Sequence, residues 1–212
     1  MIIFIPIKEH SERVPRKNFR LLNDFPLYLH QINKFREYFT VYVDTDSDEI
    51  FSNLSELDNV VVYKREPNLI GDDTSVNLLI ENLITKYNIN DYICQIHVTS
   101  PFLETDTIIK INYNNDYDSY VSADVIQSRI WKEEKIGLLP VNHNPMKLEK
   151  TQDLEKYYVE NSAFYIFEPK TFLKYNNRIG IKPQFIELPF PENVDIDNEK
   201  DWDLVNKINK IS

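Results

Sequence analysis

Residues 40–101 read TVYVDTDSDEIFSNLSELDNVVVYKREPNLIGDDTSVNLLIENLITKYNINDYICQIHVTSP, and the periodicity along this stretch decides the fold class. TVYVDTD (40–46) is strand-like. SDEIFSNLSEL (47–57) reads as a helix entered through Ser47, with Asp48 and Glu49 in its first turn, where the helix dipole favours negative charge. NVVVYKRE (59–66) is again strand-like. In TSVNLLIENLITKY (74–87), Val76, Leu79, Ile80, Leu83, Ile84 and Tyr87 recur at i, i+3, i+4 and i+7, the spacing of an amphipathic helix. DYICQIHVTSP (91–101) then reads as a buried strand stopped by Pro101. Strands alternating with amphipathic helices predict an α/β fold: a mainly parallel sheet with helices on both faces, whose ligands bind beyond the carboxyl ends of the strands.

The pattern extends outward in both directions. Toward the N-terminus, residues 2–7 form an apolar run of strand length, and PLYLHQINKFREYF (26–39) places Leu29, Ile32, Phe35 and Phe39 on one helical face. Toward the C-terminus the alternation weakens after about Ala123. Residues 124–159 carry turn signals and exposed charge without a clear period, so they are expected to form an inserted arm within a single domain spanning 1–212. NSAFYIFEPKTFLKY (161–175) returns to core-like sequence, and QFIELPFPENVDID (184–197) is expected to be extended. A last helix over 198–211 is expected to bury Leu204, Val205, Ile208 and Ile211.

The 212 residues are 42% apolar and 13% aromatic, enough for a substantial core. Lys and Arg number 24 against 34 Asp and Glu, a net charge of −10. That balance excludes nucleic acid as the main partner, because polyanion binding is driven by clustered cations. A small anion in a local basic pocket is compatible with it. The single cysteine, Cys94, sits in an apolar run and cannot pair internally, the N-terminus lacks a secretory signal pattern, and no apolar run approaches a membrane span. A cytoplasmic location without membrane contact is therefore expected.

One segment runs against the acidic composition. IPIKEHSERVPRKN (5–18) packs Lys8, Arg13, Arg16 and Lys17 into the loop after the first strand, and it holds no glycine. Its position is that of a phosphate-binding loop, with Lys and Arg replacing a backbone cradle as point charges and forks on phosphate oxygens. A solvated loop, part-neutralised by Glu9 and Glu12, is the plainer alternative. At the other end, Asp195 and Asp197 in VDID lie two apart in an apparent strand end. Period-2 alternation puts both carboxylates on one face, about 6.5–7 Å apart along the backbone, which suits a hard cation such as Mg²⁺. The alternative is that Asp197 or Asn198 only caps the last helix. Asp44 and Asp46 in VDTD (43–46) form a second, equally ambiguous pair. Of the four histidines, His97 stands out because VTSP follows it at a strand's carboxyl end; a buried structural role explains it as readily as ligand contact. No GxSxG elbow, Walker A segment or GxGxxG fingerprint occurs.

Four segments in this order, IPIKEHSERVPRKN, HVTSPF, ENSAFYIF and VDIDNEKDW, with VDTD and KREPNLIGDDTS between them, resemble the acylneuraminate cytidylyltransferase family over nearly the whole chain. The resemblance implies a Rossmann-like nucleotidyltransferase domain with an inserted dimerisation arm, a homodimer, and Mg²⁺-dependent transfer of CMP from CTP to a small sugar acid. The family loop usually reads IPARGGSKRIPRKN. The resemblance therefore implies that Lys8, Ser11, Lys17 and Asn18 contact CTP, with Arg13 as a further cation, and that Lys8, Lys17 and Asp197 serve catalysis. Glu9 and His10 replace small or polar residues of that pattern, and Glu12 replaces a lysine. Asp46, Arg65 and Asp73 fall in nucleotide-binding segments. His97, Thr99 and Ser100 take the place of a QPTSP segment facing the acceptor, with His97 for its glutamine. Asn161 matches the asparagine of an NGA segment, with Ser162 in place of glycine, and Asp195 and Asp197 match a metal-binding DID.

Two other readings are compatible with the residues. A GT-A glycosyltransferase would use VDTD as its metal-binding pair, leaving the basic loop without a role. A non-catalytic nucleotide-binding homologue would explain the loop and His97 departures.

Overall fold

The structure, a computed structural model, describes residues 1–211. The first apolar run forms β1 (Ile2–Ile7), followed by the basic loop and a small hairpin of β2 (Leu21–Leu22) and β3 (Phe25–Pro26). Then come α1 (Leu27–Arg36), β4 (Val41–Thr45), α2 (Asp48–Leu54), β5 (Val60–Lys64), α3 (Val76–Tyr87), β6 (Ile93–Ile96) and α4 (Thr105–Ile109). The second half holds β7 (Ser119–Ile126), β8 (Trp131–Glu134), β9 (Gly137–Pro140), β10 (Tyr157–Phe167), α5 (Pro169–Tyr175), β11 (Pro183–Glu187) and α6 (Glu199–Asn209). The expected caps are present: the Ser47 side chain accepts the Ile50 N–H at the start of α2, with Asp48 and Glu49 in the first turn.

Seven strands make one sheet in the order β11-β7-β10-β6-β1-β4-β5. All neighbours are parallel except β10, which runs antiparallel to both β6 and β7. Alternation along β1 sorts its residues between two cores. Ile3, Ile5 and Ile7 pack with α1 and α2 residues such as Ile32, Phe35, Ile50 and Leu54. Phe4 faces the opposite side and packs with Leu79, Ile80, Leu83 and Phe172 from α3 and α5. Helices therefore cover both faces, as the alternating pattern predicts.

The chain passes from β1 to β4 and β5 on one side, then returns to β6 on the other. The strand order thus reverses between β1 and β6, and a crevice opens beyond their carboxyl ends. Lys8 and His97 are the first residues past those two ends.

Three expectations need correction. Asp195 and Asp197 do not end a strand: residues 194–197 are extended but make no ladder, because their neighbour is the turn after β6 and not a strand edge. One backbone bond ties them there, Ile196 N–H to the Thr99 carbonyl at 2.9 Å. In α6 only Val205 is fully buried, against Leu22, Leu27 and Ile196. Leu204 is 42% and Ile211 87% exposed, since α6 packs on a narrow satellite cluster and not on the sheet. Both ends of segment 124–159 belong to the main sheet, where Tyr157 to Glu160 pair with Ile126 to Ala123. Between them, β8 and β9 form a separate hairpin, turned at Gly137 with φ 120°, a backbone that favours glycine.

Candidate active site

The basic loop is shaped by side chains. Val14 is fully buried and pins its middle. Arg16 takes a left-handed conformation at φ 53° and leads into a short 3-10 turn over Lys17–Phe19. Asn18 Nδ2 donates to the Lys8 carbonyl at 2.8 Å, closing the loop on itself. The Glu9 N–H donates to Asp46 Oδ1 at 2.7 Å, fastening the loop to the end of β4. Asp46 thus holds backbone, which is how a glycine-free loop keeps one shape.

Arg65 follows β5 and is buried together with Asp44; Nε donates to Asp44 Oδ1 at 2.5 Å and Nη2 to the Ile7 carbonyl at 3.3 Å. Among the described residues its Nη1 is buried without a hydrogen-bond partner, 3.9 Å from the Asp46 carboxylate. A buried guanidinium with an unused donor at a cavity wall is built to receive an anion. The same pairing disposes of VDTD as a metal-binding motif, because Asp44 is enclosed with Arg65.

Asp195 and Asp197 flank the buried Ile196, so alternation turns both carboxylates away from the satellite core. Burial pushes the Asp195 carboxyl up, and the charge of Asp197 adds to that, while hydrogen bonds from Thr99 and Ser100 and the charge of Lys17 oppose it. Burial lowers the Lys17 ammonium, against the pull of Asp195 and Asp197. Lys17 Nζ donates to the Ile196 carbonyl at 2.6 Å, which places the cation beside the acidic pair. Asp197 pairs with Arg13 at 2.7 Å. The helix-capping role belongs to Asn198, which accepts from Lys200 and Asp201 N–H, while the Asp201 carboxylate accepts from Asn198 and Asp197 N–H. The Asp197 carboxylate is therefore free of the cap, although its N–H is held by it. Two carboxylates, one pushed up by burial and by the other's charge, fit a hard cation that would relieve the repulsion. Among the described residues no group of three or more His, Cys, Asp or Glu side chains converges on a metal position, so such a cation would take its other oxygens from phosphate and water.

A cavity of about 270 Å³ occupies the crevice. Lys8, Ser11, Lys17, Asn18, Arg65, His97 and Thr99 line it, so seven sequence-predicted residues converge there. Arg13 lines the adjoining depression with Lys8, Ser11 and Lys17. Ser100 is buried one step behind, its hydroxyl 3.4 Å from Asp195. Three predicted residues are not brought in. Asp46 lines neither hollow and holds the Glu9 N–H instead. Asp73 is exposed and lines neither hollow, where its neighbours Thr74 and Asp72 stand instead. Asn161 donates to Asp124 at 3.2 Å on the β10 bulge, away from the cavity lining. That bulge puts Ser162 at φ 61°, the left-handed backbone for which glycine is the ordinary choice.

Sequence reading missed Val76, Leu79 and Val98, the apolar part of the wall, and the pair Gln95 and Arg178 behind His97. Gln95 carried a signal, a polar residue inside the apolar run YICQI. Arg178, in a loop after α5, carried none.

Comparison with known proteins agrees with this geometry. A family model described as cytidylyltransferase matches residues 2–211. The chain is 25% identical over 228 residues to the pseudaminic acid cytidylyltransferase of Campylobacter jejuni, covering 100% of this chain and 97% of that one. It is 27% identical over 230 residues to the CMP-N,N'-diacetyllegionaminic acid synthase of Legionella pneumophila, covering 100% and 97%. Among solved structures it superposes with CMP:2-keto-3-deoxy-manno-octonic acid synthetase complexed with CTP, at a TM-score of 0.66 and 12% identity, over 98% of this chain and 97% of that one.

Proposed function

Because this chain belongs to the cytidylyltransferase family, we propose that it transfers CMP from CTP to a small acidic sugar, a sialic-acid-like or other 2-keto acid, with release of pyrophosphate. The observation that carries this reading is the convergence of Lys8, Lys17 and Arg65 on one cavity at the β1/β6 crevice, with Asp195 and Asp197 beside Lys17.

Phosphoryl transfer of this kind needs alignment of two oxygens and neutralisation of phosphate charge, with little covalent help from the protein. Lys8, Lys17 and Arg13 hold the triphosphate oxygens, Ser11 contacts them from the cavity wall, Asn18 closes the loop around them, and the unused Nη1 of Arg65 offers one more donor. Asp195 and Asp197 would hold Mg²⁺, which on binding supplies positive charge to the phosphate oxygens. Thr99 and Ser100 orient the carboxylate of Asp195, and His97 faces the acceptor. Val76, Leu79 and Val98 exclude water from one side of the cavity.

The dimer belongs to the same proposal. The β8–β9 hairpin and the segment after it expose Trp131, Ile136, Leu138, Met146 and Leu148, with Ile136 83% and Leu148 93% exposed, and a second copy of the chain would cover them. Among the described residues no helix is long and apolar enough to cross a membrane. We place the reaction in the cytoplasm, where CTP is available.

Thermal unfolding with nucleotides tests the nucleotide choice. CTP with Mg²⁺ should raise Tm by several degrees, and a UDP-sugar should not. Stabilisation by the UDP-sugar alone would favour the glycosyltransferase reading.

A further inference from the structure

Behind the cavity, a chain of hydrogen bonds reaches His97 from a half-buried arginine. The Arg178 guanidinium lies 3.6 Å over the Tyr165 ring, and the Tyr165 hydroxyl donates to Glu160 Oε2 at 2.9 Å. Arg178 Nη1 donates to Gln95 Oε1 at 2.5 Å. Gln95 is fully buried in β6, two residues before His97. An arginine has only donors, so the Gln95 atom facing it must be the oxygen, and the amide orientation follows. The amide nitrogen then lies 2.8 Å from His97 Nε2.

An amide NH₂ only donates, so His97 Nε2 must accept. A neutral imidazole accepting at Nε2 carries its hydrogen on Nδ1. A protonated ring would set two donors against each other. Burial, with the charges of Arg178 and Lys17, agrees by holding the ring's pKa down at about 4.

We propose that Arg178 and Gln95 are positioning residues that hold His97 in its Nδ1–H form, so that His97 enters the cavity as a hydrogen-bond donor to an oxygen of the acceptor and does not take a proton from it. The ring thus selects an acceptor that turns a lone-pair oxygen, from a carboxylate, carbonyl or hydroxyl, toward the end of β6. The acceptor's identity as a sugar acid rests on the function proposed above, whereas the tautomer does not.

Long-range ¹H–¹⁵N correlation spectra of the full chain with ¹⁵N-labelled histidine read the tautomer directly. The expected spectrum shows His97 Nδ1 protonated and Nε2 bare at neutral pH. Gln95→Glu keeps the partner of Arg178 but can only accept, so it should invert the tautomer to Nε2–H. In pyrophosphate-release assays with N-acetylneuraminic and pseudaminic acids, that variant should raise the KM of the acceptor about tenfold and leave the KM of CTP within twofold. If Gln95→Glu fails to fold, Arg178→Lys, which keeps a donor toward the Gln95 oxygen, should retain the wild-type tautomer. An Nε2–H signal in the wild type overturns the inference whatever the activity. An inverted tautomer with unchanged acceptor KM overturns the donor role. An Nδ1–H spectrum with no pyrophosphate release from any acceptor upholds the tautomer and overturns the functional reading instead.

Discussion

Asp197 is the residue on which the chemistry and the fold separate most cleanly. Its carboxylate pairs with Arg13, both partners at least half exposed, and such surface pairs contribute about 0–1 kcal/mol. Asp197→Asn should therefore leave Tm nearly unchanged, while kcat/KM falls on the order of 100-fold or more through loss of charge beside the phosphates. Retained activity at limiting Mg²⁺ would remove Asp197 from the metal site. His97 makes a second residue-scale prediction, through linkage. Its pKa is about 4 folded against 6.5 unperturbed, so between those values the unfolded chain binds more protons and stability rises with pH. The neutral ring's advantage is complete above pH 6.5 and is lost as pH falls toward 4, a span worth roughly 3 kcal/mol at most. Urea titrations of wild type and His97→Gln across that window should show a steeper slope for the wild type. Parallel slopes would mean that the ring is not held neutral.

Elements were legible in the sequence where periodicity spoke, and less so where a single contact decided. The strand and helix alternation from β4 to β6 emerged because each element buries a whole face, and the basic loop was placed because β1 ends at the crevice. The extended segment 194–197 was mistaken for a strand end, because period 2 describes any extended chain and its one backbone bond to Thr99 has no sequence signature. Helix α6 was given too wide an apolar face, since its spacing cannot tell a sheet beneath it from a four-residue satellite cluster. Asp73 and Asn161 were carried by resemblance alone and lie outside the cavity lining; Arg65 was also carried by resemblance alone and lies within it, as do the loop and His97, which were carried by position as well. The cap of α6 makes a prediction at this scale. Asn198 holds two backbone donors beside the acidic pair, so Asn198→Ala should cost about 1 kcal/mol in chemical denaturation and raise the Mg²⁺ requirement as Asp197 loosens. A stability loss with an unchanged Mg²⁺ requirement would show that the cap does not position the acidic pair.

At the scale of the whole molecule, one topological fact organises the site: the strand order reverses between β1 and β6, and the loop after β1 meets the segment before α6 at the crevice this opens. The loop from residue 8 onward supplies cations, and the segment before α6 supplies carboxylates, joined by Lys17 to the Ile196 carbonyl. Residues 127–156 lie outside the seven-stranded sheet, so their exposed apolar side chains can be changed without touching that site. Light scattering should find a dimer, and Leu138→Glu with Leu148→Glu should shift it toward monomer without loss of helical content. A monomeric wild type at assay concentration would refute the arm's role. The central claim is tested most directly by pyrophosphate release from CTP and Mg²⁺ against sialic, legionaminic, pseudaminic and 3-deoxy-octulosonic acids, with non-ketose acids as controls. The account predicts release with at least one 2-keto sugar acid and none with the controls. CTP binding without release from any member of the panel would contradict it.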